Sequence, residues 1–186
     1  MKAFDLRFEQ HCEQTAAALH GTIHWRSDDS TRPVGPAKIP AGLWQPPRGA
    51  TPASGDFVYL QGDPGDFLAS GQTLLFTEPR DTIVASESGG RVIVSVGKWR
   101  GFFRPMNTVT QMQPGYYPGV LDLNKNPTKG GLEWEGFTLG CSGVNGWFAI
   151  DRVTHDSGRL TALELRFEQH CGPVSPALRG KVRWTA

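Results

Sequence analysis

The sequence predicts an all-β protein: a β-sandwich or jelly-roll-like antiparallel domain, with an extra N-terminal strand pair duplicated from its own C-terminal hairpin. Three observations predict it. Apolar residues alternate over short runs, Gly, Pro, Asn or Asp ends nearly every run, and residues 4–25 recur at 163–184. The 186 residues include 23 glycines and 14 prolines, which disfavour long helices. With 38% hydrophobic and 10% aromatic residues, the chain can bury the core of one domain.

The repeat comes first in the chain. Phe4-Asp-Leu-Arg-Phe-Glu-Gln-His-Cys12 reappears as Leu163-Glu-Leu-Arg-Phe-Glu-Gln-His-Cys171. The match continues through Ala18, Leu19, Gly21 and Trp25, which align with Ala177, Leu178, Gly180 and Trp184. Eleven of 22 residues are identical at a constant offset of 159. Taken alone, Glu13 to Leu19 passes for helix. Its twin reads Gly172-Pro-Val-Ser-Pro176, which breaks a helix, so each copy is a strand, an irregular turn and a second strand.

So long an offset leaves room for one whole unit. Residues 1–26 are then an orphan hairpin, the end of a preceding repeat or a donor of strands. Residues 27–54, with prolines at 33, 36, 40, 46, 47 and 52, form a semi-extended linker. Its isolated apolar pair, Leu43-Trp44, is expected to dock on a domain face. Residues 55–186 make a complete β domain. Strands are expected at Phe57–Gln61, Thr73–Thr77, Thr82–Glu87 before the Ser88-Gly-Gly90 turn, Val92–Val96 and Trp99–Arg104. Gly119–Leu123, Leu132–Phe137, Gly146–Thr154, Leu160–Cys171 and Leu178–Trp184 follow.

Strand alternation faces Leu163, Leu165, Phe167 and Cys171 inward, and Glu164, Arg166, Glu168 and His170 outward. The inward partner for Cys171 is Cys141, in the Gly140-Cys-Ser-Gly143 turn. Such a bond stabilises by roughly 3–4 kcal/mol on the chain-entropy estimate. It implies an oxidising compartment, placing the protein outside the cell, at the cell surface or in the periplasm. Cys12 is left as a thiol or as half of an intermolecular bond. Three buried, reduced thiols in a cytosolic protein are the alternative.

Charge and hydropathy exclude several classes. Nineteen Lys and Arg against 18 Asp and Glu give a net charge of +1, so nucleic acid is not an expected partner. The apolar runs are too short for a transmembrane span or a secretory signal, so the signal of an exported protein would lie outside these residues.

Candidate chemistry is sparse. Adjacent His11-Cys12 and His170-Cys171 face opposite ways, which argues against a shared metal, and no zinc spacing is present. His20 and His24 share a strand face roughly 13 Å apart at standard rise, too far for one ion. Asp56, Asp63 and Asp66 around the Gly62-Asp-Pro-Gly65 turn could gather calcium, with turn formation the simpler role. Glu133 with Glu135, and Glu164 with Glu168, share strand faces, and a solvated face explains either pair better than a glycosidase dyad does. There is no nucleophile elbow and no phosphate-binding glycine loop, so an enzyme is not expected.

The expected function is a non-catalytic extracellular structural or assembly module whose partner is itself. Phe4, Leu6, Phe8, Leu19, Ile23 and Trp25 form a strand-exchange segment that adds to a neighbouring unit, giving a filament or surface array. The alternative is a carbohydrate-binding sandwich in which Trp99, Phe103, Tyr116 and Tyr117 stand exposed in turn-rich contexts and stack on sugar rings.

One resemblance supports the modular view. The segments Gly55-Asp-Phe-Val-Tyr-Leu-Gln, Gly65-Asp-Phe, Gln113-Pro-Gly-Tyr-Tyr, Gly140-Cys, Gly146-Trp-Phe and Leu165-Arg-Phe-Glu-Gln-His-Cys171 resemble an uncharacterised family of bacterial exported tandem repeats. In that family, β-rich units of this length are separated by Pro-rich linkers. The resemblance covers residues 40–186 and again 4–25, and Phe-Glu-Gln-His-Cys is its most specific part. It implies that the Gly-Cys turn and the Glu-Gln-His-Cys strand occur together, and it implies no catalytic residue. Ser142 departs from the family, where Asn often follows Gly-Cys.

Overall fold

In the computed structural model the chain is all-β. The structure describes residues 1–12, 16–29, 34–125, 127–136, 138–172 and 176–186. The expected turns at 13–15 and 173–175, the stretch 30–33 of the linker and Phe137 lie outside the described residues. The chain divides into two compact units, Met1–Pro33 and Val34–Ala186.

The first unit is a two-stranded antiparallel hairpin of β1 (Ala3–His11) and β2 (Ala18–Arg26). Nine residue pairs run from Ala3↔Arg26 to His11↔Ala18.

The second unit is a ten-stranded sheet of β3 (Phe57–Gly62), β4 (Thr73–Thr77), β5 (Ile83–Ser88), β6 (Arg91–Val96), β7 (Trp99–Arg104), β8 (Gly115–Leu121), β9 (Gly131–Gly136), β10 (Val144–Asp156), β11 (Arg159–Cys171) and β12 (Ala177–Thr185). Their order across the sheet is β4-β3-β12-β11-β10-β8-β9-β7-β6-β5. Among the described residues every pairing is antiparallel except a single parallel contact, Leu121↔Gly131, between β8 and β9.

That contact is where the sheet folds over to make a sandwich. Strands β9, β7, β6 and β5 then face β10, β11 and β12, and rings from the two layers meet in the core. Trp134 of β9 stacks on Phe167 of β11 at 5.0 Å, and Phe103 of β7 meets Phe148 of β10 edge-on at 5.6 Å. In β6 side chains alternate inward and outward, so Val92, Val94 and Val96 are buried while Ile93 and Ser95 are half-buried, whereas Phe57 to Leu60 of β3 are buried on both faces. The β5–β6 turn needs positive φ at both central residues, and Gly89 (φ 58°) and Gly90 (φ 78°) supply it without strain.

The Pro-rich segment departs from the expected linker. From Val34 onward it belongs to the compact unit and crosses the outer face of the sheet as a strap. Ala37 bridges to Tyr116, and Trp44 stacks on Tyr59 at 6.5 Å. Arg183 donates to the carbonyls of Gly55, Ala53 and Pro52 at 2.6, 3.1 and 3.2 Å. Proline here limits the entropy lost when a segment without a ladder is laid onto a surface. Docking then needs only a few side-chain grips.

Candidate assembly site

Two hairpins of one design occupy this chain, and their registers are the same. Ala162↔Thr185 through His170↔Ala177 repeats, pair for pair at an offset of 159, the nine pairs of β1 and β2. Local sequence fixes this. A Cβ placed on Gly180 would lie 2.2 Å from the Phe167 ring, and one on Gly21 would lie 2.2 Å from the Phe8 ring. In both copies a phenylalanine lies flat across a glycine on the facing strand, which any larger residue would prevent.

The repeated motif does specific work in the second copy. The β11–β12 hairpin sits between β10 and β3, and Leu165, Phe167, Leu178 and Val182 are 0% exposed. The Gln169 side chain is buried and imitates a strand edge. Its Oε1 accepts from Trp134 N at 2.6 Å, and its Nε2 donates to Trp134 O at 2.9 Å, tying the two layers together. Cys171 is bonded to Cys141, as its inward orientation predicts.

On the outer face, Glu168 accepts from Arg179 Nε at 2.5 Å and from Trp147 Nε1 at 3.3 Å, with His170 at 3.3 Å. Burial raises the carboxyl pKa of Asp63, but the hydrogen bond from Arg179 at 2.7 Å and that from Ala177 N outweigh it, so the group is held below its ordinary value. Arg166, 3% exposed, grips both oxygens of Asp151 at 2.7 and 2.6 Å. Its Nη1 also donates to the strap carbonyls of Leu43 and Trp44, at 3.2 and 2.8 Å.

The first copy keeps the same residues on the same faces. The predicted strand-exchange residues Phe4, Leu6, Phe8, Leu19, Ile23 and Trp25 are 39–60% exposed, and Phe4 and Trp25 stack at 5.8 Å. Five of their counterparts in β11 and β12 are core, and the sixth, Trp184, is half-buried against it. Burying side chains of this size stabilises by about 1.5–3 kcal/mol each. An isolated two-stranded hairpin is marginal in water, so β1–β2 carries a face suited to burial.

Its polar face repeats the charge pattern with histidine in place of arginine. Glu9 meets His20 at 3.3 Å where Glu168 meets Arg179, and Glu9 also meets His11 at 2.6 Å. Asp5 pairs with His24, the counterpart of Arg183. Cys12 is exposed and accepts from Gln10 Nε2 at 3.9 Å.

The predicted ligand aromatics need correction. Trp99, Phe103 and Tyr117 are core residues, at 4%, 0% and 0% exposure. Turn-rich surroundings suggested exposure, but strand alternation decides. Trp99 and Phe103 share the inward face of β7 with Gly101, and Tyr117 stacks on Phe148 at 4.3 Å. Burial pushes the Tyr117 hydroxyl up to about 12, although Gln113 N donates to its oxygen at 3.3 Å. Tyr116 alone is half-exposed, tilted against Trp147 at 5.9 Å.

The Asp56, Asp63 and Asp66 carboxylates each serve the chain. Asp56 accepts from Thr185 N, and Asp66, buried, accepts from Ala69 N at 2.6 Å. Among the described residues no three potential ligands gather as a metal site. Glu168 is committed to Arg179, while Glu133 and Glu135 lie on the half-buried outer face of β9. Burial, with repulsion from Glu135 and Asp122, raises the Glu133 carboxyl above its ordinary value. Sequence reasoning missed the half-buried His155–Glu87 pair at 2.5 Å, because the residues are 68 positions apart and no spacing links them.

No helix of the described residues is long and apolar enough to cross a membrane. No family model, no curated protein and no solved structure matches this chain.

Proposed function

We propose that this protein is a non-catalytic structural module of an extracellular or cell-surface assembly. In it, β1–β2 closes a neighbouring unit of the same fold by occupying the place that β11–β12 takes between β10 and β3. The observation that carries this is the pair-for-pair identity of the two hairpin registers, together with an exposed apolar face on one copy and a buried one on the other. Strand addition supplies main-chain hydrogen bonds along two edges, and the side-chain pattern supplies specificity. Joined head to tail without closing a ring, such units extend into a filament or array. The disulfide fits an oxidising surrounding.

Deleting residues 1–26 is the test. Electron microscopy and light scattering are expected to show multimers for the full chain and monomers for the deletion. Multimers that persist without residues 1–26 would remove the proposal.

A specific observation favours a second reading, glycan binding. Tyr116 and Trp147 are half-exposed rings beside Glu168, His170 and Arg179 on the outer face of the sheet. Such rings can stack on a sugar while the polar groups meet its hydroxyls. Glycan-array binding that disappears in Tyr116→Ala would support it.

A further inference from the structure

The disulfide lies where β11 ends, and Gln169 helps to set it there. While its amide spans the Trp134 backbone, its Nε2 also lies 3.3 Å from Cys141 Sγ. The sulfur of Cys141 is thereby presented to whatever cysteine follows that glutamine by two residues. In the first hairpin Gln10 faces Leu19 as Gln169 faces Leu178, and Cys12 follows Gln10 by two residues, just past β1, as Cys171 follows Gln169. Phe8 over Gly21 reproduces the ring-on-glycine contact of Phe167 over Gly180, two residues before each glutamine. A β1–β2 hairpin seated between β10 and β3 brings Cys12 to Cys141.

We infer that the partner of β1–β2 is a second copy of this chain, and that the exchanged hairpin is sealed by a disulfide between Cys12 of one copy and Cys141 of the other. This rests on the assembly function proposed above and adds its partner and its bond. The chemistry is thiol–disulfide exchange. The Cys12 thiolate attacks Cys141 Sγ in line with the Cys141–Cys171 bond. The Cys12–Cys141 bond forms as Cys141–Cys171 breaks. Cys171, on a β11–β12 hairpin already displaced and still tethered through Cys141, leaves as a thiolate and takes up a proton. One disulfide is consumed and one made, so neither oxidant nor reductant is required.

The differences between the twins explain which hairpin is resident at rest. Arg179 reaches Asp63 and Glu168, and Arg183 holds three strap carbonyls. Their counterparts His20 and His24 have neither the reach nor the five N–H donors of a guanidinium and cannot match those grips. Loosening the strap therefore favours exchange, and the new covalent bond then retains the exchanged state.

The test uses the full chain, concentrated and held warm for days, then alkylated and mapped without reduction by mass spectrometry. Dimers and longer species linked through Cys12–Cys141, with Cys171 alkylated, are expected. Arg183→Ala, which frees the strap from β12, is expected to raise the linked fraction severalfold. Cys12→Ser is expected to lose the covalent links and keep the non-covalent multimers. Links through Cys12–Cys12 or Cys12–Cys171, a Cys12–Cys141 bond inside a monomer, or no link in either the natural chain or Arg183→Ala would overturn the inference. If multimers dependent on residues 1–26 still form in those cases, only the seal fails. If none form, the assembly function fails with it.

Discussion

Truncating Arg166 to alanine would leave the Asp151 carboxylate and the strap carbonyls of Leu43 and Trp44 without their common donor. Removing one partner of a buried ion pair typically costs about 3–5 kcal/mol, so urea melts of Arg166→Ala should shift by that order, with the strap becoming the first site of proteolysis. Arg7→Ala, its counterpart in β1, is expected to leave the melt of the large unit unchanged. Glu133 gives a test of sign. Its carboxyl is raised by burial and by its acidic neighbours, so its charge opposes folding above the raised value and contributes nothing below the ordinary glutamate range of about 4.3. Glu133→Gln should therefore raise the melting temperature at pH 7 and leave it unchanged at pH 3.5. Tyr117 is a raised acid too. Its contribution is complete below the ordinary value of about 10 and lost as pH climbs towards about 12, so alkaline titration should find one tyrosine silent until the fold opens. The aromatics show what single positions conceal. Trp99, Phe103 and Tyr117 sit near turns in sequence, and only their place in the alternation of β7 and β8 makes them core.

Between the two hairpins, one substitution made twice separates shared design from shared context. Phe167→Ala removes a ring packed against Trp134 and Phe103 and should cost the large unit about 3–5 kcal/mol. Phe8→Ala removes the same ring from an exposed face and should barely move that unit's stability, while reducing the yield of multimers seen by light scattering. The strand pattern of these elements was legible because period-two alternation and an ungapped repeat survive in sequence, and so was the Cys141–Cys171 bond, which follows from which face each cysteine takes. The strap was legible at the docking pair Leu43-Trp44, which rests on Tyr59 and Arg166, and not as a packed element along its length. Its cohesion comes from backbone carbonyls caught by Arg166 and Arg183, far away in sequence, and a carbonyl leaves no trace in residue type. The role of Gln169 was hidden for a similar reason, since its partner is the backbone of Trp134.

At the scale of the whole molecule, the disulfide spans 30 residues and ties the β9–β10 connection to the end of β11. Reducing it should lower stability by about 3–4 kcal/mol, read as a shift of the urea midpoint on adding reductant. The strap has a mechanical meaning as well. Phe57 at the start of β3 lies opposite Arg183 near the end of β12. Tension applied between residue 51 and residue 186 would therefore pull on adjacent ends of antiparallel neighbours and peel their bonds one by one, beginning at the Arg183 grip. Peeling runs down β12 and along β11 until it meets Cys171, where the covalent tie to Cys141 stops it. Each unit thus yields softly over a fixed length of slack and then holds, a built-in shock absorber with a hard limit.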